Sequence, residues 1–234
     1  MRRRALPLAC LASLLALAVS ASGAAPASAG ATSCAWHPLL SGAPSRSLLA
    51  LFAILRRPAR AGDAPANLVA EFSRPINRQM GREVYVRYMR YARTVDGVAY
   101  YLVPVTFRCG VFARHGDGLS LESARGGGGG EDAAEIGSGG MWGSESGGTG
   151  ADPGRTTFQG VLPDGVASVT LHYPAGKLGG FSHRSGPAIT VTAPVVNNVV
   201  FVTVERAGEQ AMRSVTTTWR AANGSIVKVI HSGL

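Results

Sequence analysis

The stretch Arg93–Phe112, RTVDGVAYYLVPVTFRCGVF, decides the fold predicted for this chain. Its Asp96-Gly97 pair favours a two-residue turn with positive φ, and the β-branched and aromatic residues on either side complete the pattern of a β-hairpin. Because proline has no N–H to donate, Pro104 predicts that the returning strand, Val98–Val103, lies at a sheet edge or ends there. The β pattern resumes over Val105–Phe112.

The residues before this hairpin predict two short helices. Ser45 to Ser47 can cap a helix whose apolar residues recur at helical spacing from Leu48 to Leu55. Pro58 ends that helix, and residues 67–72 favour another short helical segment. Residues 82–95 fit two patterns. A helix to about Tyr91 that passes into a strand is favoured, and a strand throughout is the alternative.

Residues 116–156 differ sharply in composition from what precedes them. They include the glycine run Gly126–Gly130, and they carry seven acidic residues against two arginines. Few apolar side chains are present to offset the entropy of ordering, which predicts a flexible acidic loop. Such a long loop is uncommon inside one domain. It is therefore predicted to separate an α+β lobe, residues 30–115, from a β-rich lobe, residues 157–234.

The residues of the second lobe favour strands throughout. Turn signals at Pro163-Asp164-Gly165 and Asn223-Gly224 separate runs of β-branched residues. A further strand is expected over Val195–Val204, with Asn197-Asn198 as a candidate break within it. Roughly five strands at this spacing predict a sandwich or an open barrel. The predicted fold class is α+β, with a small helix-plus-hairpin N-terminal lobe, a glycine-rich loop and a C-terminal all-β lobe.

Residues 1–29 have the pattern of an export signal peptide. Arg2 to Arg4 precede an apolar run, Leu8 to Val19, and Ala27-Ser28-Ala29 supplies a small-residue cleavage site. After the leader, no segment has the roughly 18 consecutive apolar residues of a transmembrane helix. The protein is therefore expected outside the cytoplasm, secreted or held at the cell surface.

Cleavage after Ala29 would leave two cysteines, Cys34 and Cys109. An even pair in an oxidising compartment favours a disulfide, and two buried free thiols are the alternative.

The disulfide predicts that the exported protein, denatured without reductant, gains no mass from an alkylating reagent. After reduction it should gain two adducts, as measured by intact-mass spectrometry. The Cys34→Ser variant is the control, because Cys109 should then react without reduction. Two adducts on the unreduced wild-type protein would contradict the pairing.

Several stretches together carry a resemblance to a known group of proteins. They are VDGVAYYLVPV (95–105), GVLPDGVASVTL (160–171), VVNNVVFV (195–202) and TWRAANG (218–224). The chain resembles uncharacterised exported proteins of high-GC Gram-positive bacteria. The resemblance implies an exported, two-part protein with a β-rich C-terminal half, and it implies no activity, cofactor or site residue.

Catalytic patterns are incomplete in this sequence. Ser144 to Gly148 is similar to the segment around the nucleophile of chymotrypsin-like proteases, with Ser146 in the nucleophile's place. Neither upstream histidine, His37 or His115, has the sequence context that those proteases require. A glycine- and serine-rich loop also could not hold an oxyanion hole in place. No catalytic residue is assigned, and the sequence weighs against an enzyme.

Metal-ligand spacing is also missing. No two histidines lie at i,i+2 or i,i+4, the spacings that bring ligands together on a strand or a helix. The histidines considered were His37, His115, His172, His183 and His231. The acids Glu131, Asp132 and Glu135 are interpreted as a solvated face, with calcium binding as the alternative. No metal site and no cofactor is predicted.

A cluster of tyrosines and arginines over residues 82–101 is the strongest candidate for binding. Tyrosine combines a flat face with a hydroxyl, and arginine pairs bidentately with phosphate. The candidate ligand-binding residues are Tyr100, Tyr101, Arg87, Arg90 and Arg93. The alternative, which the sequence favours, is that half of the tyrosines belong to the core and the arginines cover their edges.

The net charge of +9 is compatible with an anionic partner. Because Lys177 and Lys228 are the only lysines, the favoured explanation of this charge is the arginine-rich composition that a GC-rich genome produces. Export gives little access to nucleic acid, so none is expected as a partner. The sequence does not establish a molecular function. The first hypothesis is a non-enzymatic exported protein, binding or structural, whose partner is an anionic cell-envelope polymer or another envelope protein. The alternative is an extracellular hydrolase whose site is assembled from residues distant in sequence.

Overall fold

The hairpin predicted at Asp96-Gly97 is confirmed in the computed structural model, which describes residues 35–107, 116–125, 128–146, 155–177, 185–205 and 215–232. Asp96 and Gly97 have φ values of 49° and 75°. Both lie in the left-handed region that this two-residue turn requires. Val95 pairs directly with Val98, so the strands begin immediately on either side of the turn.

The described helices are α1 Arg46–Leu51, α2 Ala53–Arg56, α3 Ala66–Phe72, α4 Pro75–Met80 and α5 Ala133–Gly139. The first strands are β1 Arg82–Val84, β2 Arg90–Val95, β3 Val98–Phe107, β4 Asp117–Ser123, β5 Gly128–Asp132, β6 Met141–Ser146 and β7 Arg155–Val161. The remaining strands are β8 Ser168–Tyr173, β9 Gly176–Lys177, β10 Ser185–Gly186, β11 Ile189–Pro194, β12 Val199–Glu205, β13 Val215–Arg220 and β14 Ile226–Ser232.

Both predicted N-terminal helices are present. The Ser45 hydroxyl accepts from the Leu48 N–H at 3.3 Å, which caps α1 as predicted. The first helix is interrupted at Phe52, whose backbone is extended, so α2 is a separate turn. α3 confirms the helix expected over residues 67–72.

The favoured helix over residues 82–91 is wrong, and the strand alternative is correct at both ends of the segment. β1 and β2 occupy these ends, joined by a 3₁₀ turn over Val86–Tyr88. All three residues of β1 are buried, and burial on both faces of a sheet removes the alternation that would have marked this strand in the sequence.

Pro104 lies in the middle of a sheet, contrary to the prediction. β3 is the central strand of five, with β4 along one side and β1 and β2 along the other. The chain between β1 and β2 leaves the sheet opposite Pro104, and the Tyr85 N–H donates to the Pro104 carbonyl at 3.0 Å. The N and C=O of a strand residue face the same neighbour. The missing N–H therefore points at this gap, where no acceptor is left unpaired.

Much of the segment predicted to be a flexible loop has regular structure. β4, β5, α5 and β6 lie within residues 116–156. The glycines allow close approach here, because a Cβ on Gly118 would collide with the Glu131 carbonyl oxygen. Ile136 of α5 is fully buried and anchors the segment in the core. The division into two lobes at this segment stays a prediction.

Two hydrophobic cores cover the two faces of the central sheet. Tyr100 and Leu102 of β3 pack on one face with residues of α1, α2 and α5. Tyr101 and Val103 of β3 pack on the other face with residues of α3. Val161 at the end of β7 and Val199 at the start of β12 join the first core. The C-terminal strands therefore share a core with the N-terminal part.

The C-terminal strands form two further sheets, in the orders β12-β7-β6 and β11-β8-β13-β14, and β9 pairs with β10. The two larger sheets bury a third core between them, with Val202 of β12, Val169 of β8 and Trp219 of β13 among its members. The strand expected from Val195 begins only at Val199, after the candidate break at Asn197-Asn198, where both residues have positive φ, 50° and 67°. Within the described ranges no sheet closes into a barrel, and the fold is broadly α+β and rich in β-sheet.

Several predictions fall on residues that the structure does not describe. They are the signal peptide over residues 1–29 and both partners of the disulfide, Cys34 and Cys109. Among the helices that are described, none is long and apolar enough to span a membrane.

A buried ion pair lies beneath α3. Arg82 and Glu122 pair directly, and their side chains are 10% and 3% exposed. The Ser120 hydroxyl lies 2.5 Å from the Glu122 carboxylate and 2.7 Å from the Gly129 carbonyl oxygen. The Arg82 guanidinium lies 5.0 Å from the centre of the Phe72 ring. One network therefore joins α3, β1, β4 and β5.

The Glu122→Leu variant should lose about 3–5 kcal/mol in the free energy of unfolding, because it leaves the Arg82 charge buried without its partner. The double variant Arg82→Met/Glu122→Leu should lose much less, since no buried charge remains. Urea denaturation monitored by tryptophan fluorescence measures both losses. A single variant as stable as the double variant would show that the pair is not buried as described.

Candidate functional site

The structure places two of the predicted ligand-binding residues in the core. Tyr100 and Tyr101 are each 7% exposed and lie on opposite faces of β3. The Tyr100 ring packs on Phe201 with ring centres 4.6 Å apart, and the Tyr101 ring meets Tyr91 at 5.9 Å. Neither tyrosine offers a face to a ligand, which agrees with the alternative interpretation made from the sequence.

Arg87 and Arg90, two of the other predicted residues, line one cleft of about 480 Å³. We call it the basic cleft. Its lining residues are Ser41, Gly42, Ala43, Leu55, Arg56, Arg87, Tyr88 and Arg90. The sequence separates these into three short segments, which meet where the end of α2 approaches the 3₁₀ turn. Among the residues that the structure describes, no carboxylate lines this cleft, and its three arginines make the local field positive.

Arg90 forms the fixed base of the basic cleft. Its guanidinium is buried and donates to four backbone carbonyls, those of Arg87 (3.0 Å), Met89 (2.7 Å), Leu55 (3.1 Å) and Arg57 (2.7 Å). Burial lowers the pKa of Arg90, and the negative charge of Asp63 opposes that shift. Arg90 therefore contributes positive charge and holds the end of α2 against β2.

Arg87 and Arg56 supply the accessible charge of the cleft. Arg87 is exposed, and no acid in the described part of the chain pairs with it. Arg56 donates to the carbonyls of Leu49 (2.5 Å) and Ala50 (3.3 Å), which holds its guanidinium in one place. The cleft therefore presents one free guanidinium beside one that is already positioned.

Arg93, the remaining predicted residue, lies apart from the basic cleft. It is half-buried, and its guanidinium lies 5.6 Å from the centre of the Phe201 ring. It follows a bulge between Tyr91 and Arg93, where β2 slips against β3. The register after this bulge places Arg93 opposite Tyr100, and Arg93 does not line the basic cleft.

Sequence reasoning missed Asp63, which holds this region together. Its carboxylate is buried and accepts from both guanidinium nitrogens of Arg57, at 2.8 and 2.7 Å. It also accepts from the backbone N–H groups of Arg60 (2.7 Å) and Tyr91 (2.9 Å). Burial alone would raise the pKa of Asp63, but these bonds and the Arg57 charge outweigh it and lower the pKa to about 2. The only signal for Asp63 in the sequence is that it is a single acidic residue among several arginines.

Asp63 makes the stability of the fold dependent on acid pH. Its pKa is lowered from 3.8 to about 2 on folding. Its ionised form therefore contributes about 2 kcal/mol above pH 3.8, and this contribution is lost as the pH falls through 3.8 towards 2.

Urea denaturation at pH 5 and pH 2 should show that the wild-type protein loses about 2 kcal/mol more than the Asp63→Asn variant over this range. The other carboxyl groups titrate in both proteins and cancel in the difference. Equal losses in the two proteins would contradict the assignment of the low pKa to Asp63.

The described residues hold no group of three histidine, cysteine, aspartate or glutamate side chains that could bind a metal. His172 and His231 lie on the outer face of one sheet, where their Nδ1 atoms are 2.8 Å from the Thr190 hydroxyl and 3.1 Å from the Thr216 hydroxyl. Asp132 caps α5 by accepting from the Glu135 N–H at 2.8 Å. This acid therefore has a structural role.

Residues 144–146 of the serine string that resembles a protease segment lie in β6, and its last two residues lie outside the described ranges. The β6 backbone pairs in register with β7, and Ser146 lies opposite Thr156. The side chains of β6 are not described. A paired strand differs from the turn that presents a catalytic serine together with oxyanion-hole N–H groups.

No protein-family model matches the chain, and a search of curated proteins finds no match. The resemblance to exported proteins of high-GC Gram-positive bacteria therefore stays a prediction, and the function rests on the geometry of the clefts.

Proposed function

We propose that this chain is an exported, non-enzymatic binding protein of the cell envelope or extracellular space, and that its basic cleft binds a phosphate-bearing anionic polymer. The observation that carries the proposal is the convergence of Arg56, Arg87 and Arg90 in a cleft with no lining carboxylate. The signal-peptide pattern and the predicted two-lobe arrangement, with a C-terminal sandwich, belong to the same proposal.

The arginines are suited to phosphate because two of the three side chains are already held in position. The Arg56 and Arg90 guanidinium groups are held by backbone carbonyls. Binding therefore does not have to fix these two long side chains, and the entropy lost on binding is smaller. Arg87 is the group that a ligand would order, and its planar guanidinium fits two phosphate oxygens at once.

Tyr88 and Ser41 add hydroxyl hydrogen-bond donors to the positive charge of the basic cleft. Tyr88 is half-buried, and the Arg90 guanidinium lies 6.0 Å from the centre of its ring. Its hydroxyl and that of Ser41, which also lines the cleft, can donate to further phosphate oxygens. The cleft is open to solvent, which favours a ligand that continues past it over a small enclosed anion.

The hydrolase alternative lacks support in this cleft. Hydrolysis would need a general base beside the bound phosphate or glycosidic bond. The lining residues include neither a histidine nor a carboxylate. The described lining of the cleft therefore supports anion binding and offers no histidine or carboxylate as a general base.

The proposal is tested with fluorescent polyphosphate and fluorescence anisotropy. The wild-type protein should bind with an affinity that falls as salt rises, because exposed charges are screened beyond roughly 10 Å at 0.1 M salt. The Arg87→Gln variant should weaken binding about tenfold, since a hydrogen bond to a charged group contributes about 1.5 kcal/mol or more.

The Arg78→Gln variant is the matched control. Arg78 is exposed on α4 and does not line the basic cleft, so this variant removes the same charge elsewhere. Its affinity should match the wild type. Equal weakening by both substitutions would mean that net charge alone binds the polymer, and absence of binding at low salt would overturn the proposal.

A further inference from the structure

A second cleft, of about 490 Å³, lies on the other side of α2. We call it the amide cleft. Its lining residues are Ala53, Ile54, Arg57, Arg60, Tyr91, Asp164, Asn197 and Asn198. Arg57 is paired with Asp63, so the charges at this cleft are those of Arg60 and Asp164, and the rest of its lining offers mainly amide, hydroxyl and ring surfaces. Its chemistry therefore differs from that of the basic cleft.

The turn at Asn197-Asn198, which we call the asparagine turn, gives the amide cleft fixed hydrogen-bond acceptors. The Asn197 side-chain N–H₂ donates to the Ala92 carbonyl at 2.7 Å. The Asn198 side-chain N–H₂ donates to the Leu162 carbonyl and to the Asp164 carboxylate, both at 3.0 Å. These bonds orient both amides, and no described residue donates to either amide oxygen. A ligand hydroxyl can therefore donate to oxygens that are already in place.

Tyr91 gives the cleft a flat aromatic surface. It is 37% exposed, its hydroxyl lies 2.9 Å from the Thr94 hydroxyl, and its ring meets Tyr101 at an interplanar angle of 71°. The ring is thus held from two sides while a large part of it stays accessible. Arg60, which is exposed, adds hydrogen-bond donors at the same cleft.

A held aromatic ring beside oriented acceptors and a donor is suited to a neutral sugar. The apolar C–H face of a pyranose packs on an aromatic ring, and its hydroxyl groups both donate and accept. The amide cleft contains a partner for each of these groups. It lacks the free cluster of cations that would favour a second phosphate.

The two clefts are close enough for one ligand to reach both. They share α2, a helix of four residues that is roughly 6 Å long. The Arg56 guanidinium of the basic cleft lies 3.8 Å from the Asp164 carboxylate of the amide cleft. The same carboxylate accepts from the Ala53 N–H at 2.6 Å, which ties the start of α2 to the asparagine turn.

We infer that the amide cleft binds a neutral sugar of the polymer whose phosphate binds the basic cleft. The ligand class is therefore a phosphate polymer that carries glycosyl groups. The binding of the phosphate rests on the proposed function. The binding of the sugar is argued from Tyr91 and the asparagine turn.

Three forms of poly(glycerol phosphate) test the inference. One carries glucosyl groups, one carries N-acetylglucosaminyl groups, and one has lost its sugars to glycosidase treatment. Binding is measured by isothermal titration calorimetry. The wild-type protein should bind a glycosylated form about tenfold more tightly than the bare form.

The Tyr91→Ala variant should lose this tenfold preference and keep the wild-type affinity for the bare polymer, which also shows that it is folded. The Tyr91→Phe variant keeps the ring and should keep the preference, because the Tyr91 hydroxyl is engaged with Thr94. The Arg87→Gln variant should weaken binding of all three forms by the same factor.

Equal affinity of the wild-type protein for the bare and both glycosylated forms would overturn the sugar site and leave the proposed function intact. A preference that survives in Tyr91→Ala would also overturn the sugar site. Binding of the glycosylated forms alone, with the preference lost in Tyr91→Ala, would overturn the phosphate function and support the sugar site. No binding of any form would overturn both.

Discussion

Side chains, in place of another strand, form hydrogen bonds with the outer edge of β2. The candidate site depends on these hydrogen bonds. Asp63 accepts from the Tyr91 N–H, and Asn197 donates to the Ala92 carbonyl. An open strand edge has unpaired backbone groups that invite another chain. Here the loop after α2 and the asparagine turn both attach to that edge. The two clefts exist because these segments are held there.

Two buried arginines stabilise the region in different ways. Arg82 pairs with the Glu122 carboxylate, whereas Arg90 is surrounded by backbone carbonyls. A carboxylate partner cancels the charge, and carbonyl dipoles solvate it without cancelling it. Arg82 therefore acts within the core alone, while the charge of Arg90 still contributes to the field in the basic cleft. The same residue type thus has a structural role at one position and an electrostatic one at the other.

Local signals in the sequence predicted the local structure well. The Asp96-Gly97 turn, the break at Asn197-Asn198 and the Ser45 cap depend on a few neighbouring residues, so they could be read directly. The position of Pro104 depends on where a neighbouring strand breaks, which the sequence around Pro104 does not encode. The glycine-rich strand β5 was missed because its pairing with β4 uses backbone groups and needs no side chains. The loop prediction compared the entropy of ordering the chain with its few apolar side chains, and it did not count the backbone hydrogen bonds of such a strand pair.

The candidate site was predictable only in part, for a similar reason. Arg87 and Arg90 lie close in sequence to each other and were found together, but Arg56 reaches the same cleft from α2. The alternation of strand residues places Tyr100 and Tyr101 on opposite faces, and both faces are covered by helices. A tyrosine pair therefore could not mark an accessible surface. Asp63 acts through backbone N–H groups of distant segments, which leave no pattern in the sequence.

The Arg56 side chain separates the two clefts. Its ion pair with Asp164 joins side chains that are 50% and 36% exposed, at a nitrogen–oxygen distance of 3.8 Å. A pair of this kind contributes at most about 1 kcal/mol, and less as salt rises. The Arg56 guanidinium also donates to the Leu49 and Ala50 carbonyls, and these hydrogen bonds do not depend on the ion pair. Salt would therefore weaken the ion pair and leave the partition between the clefts in place.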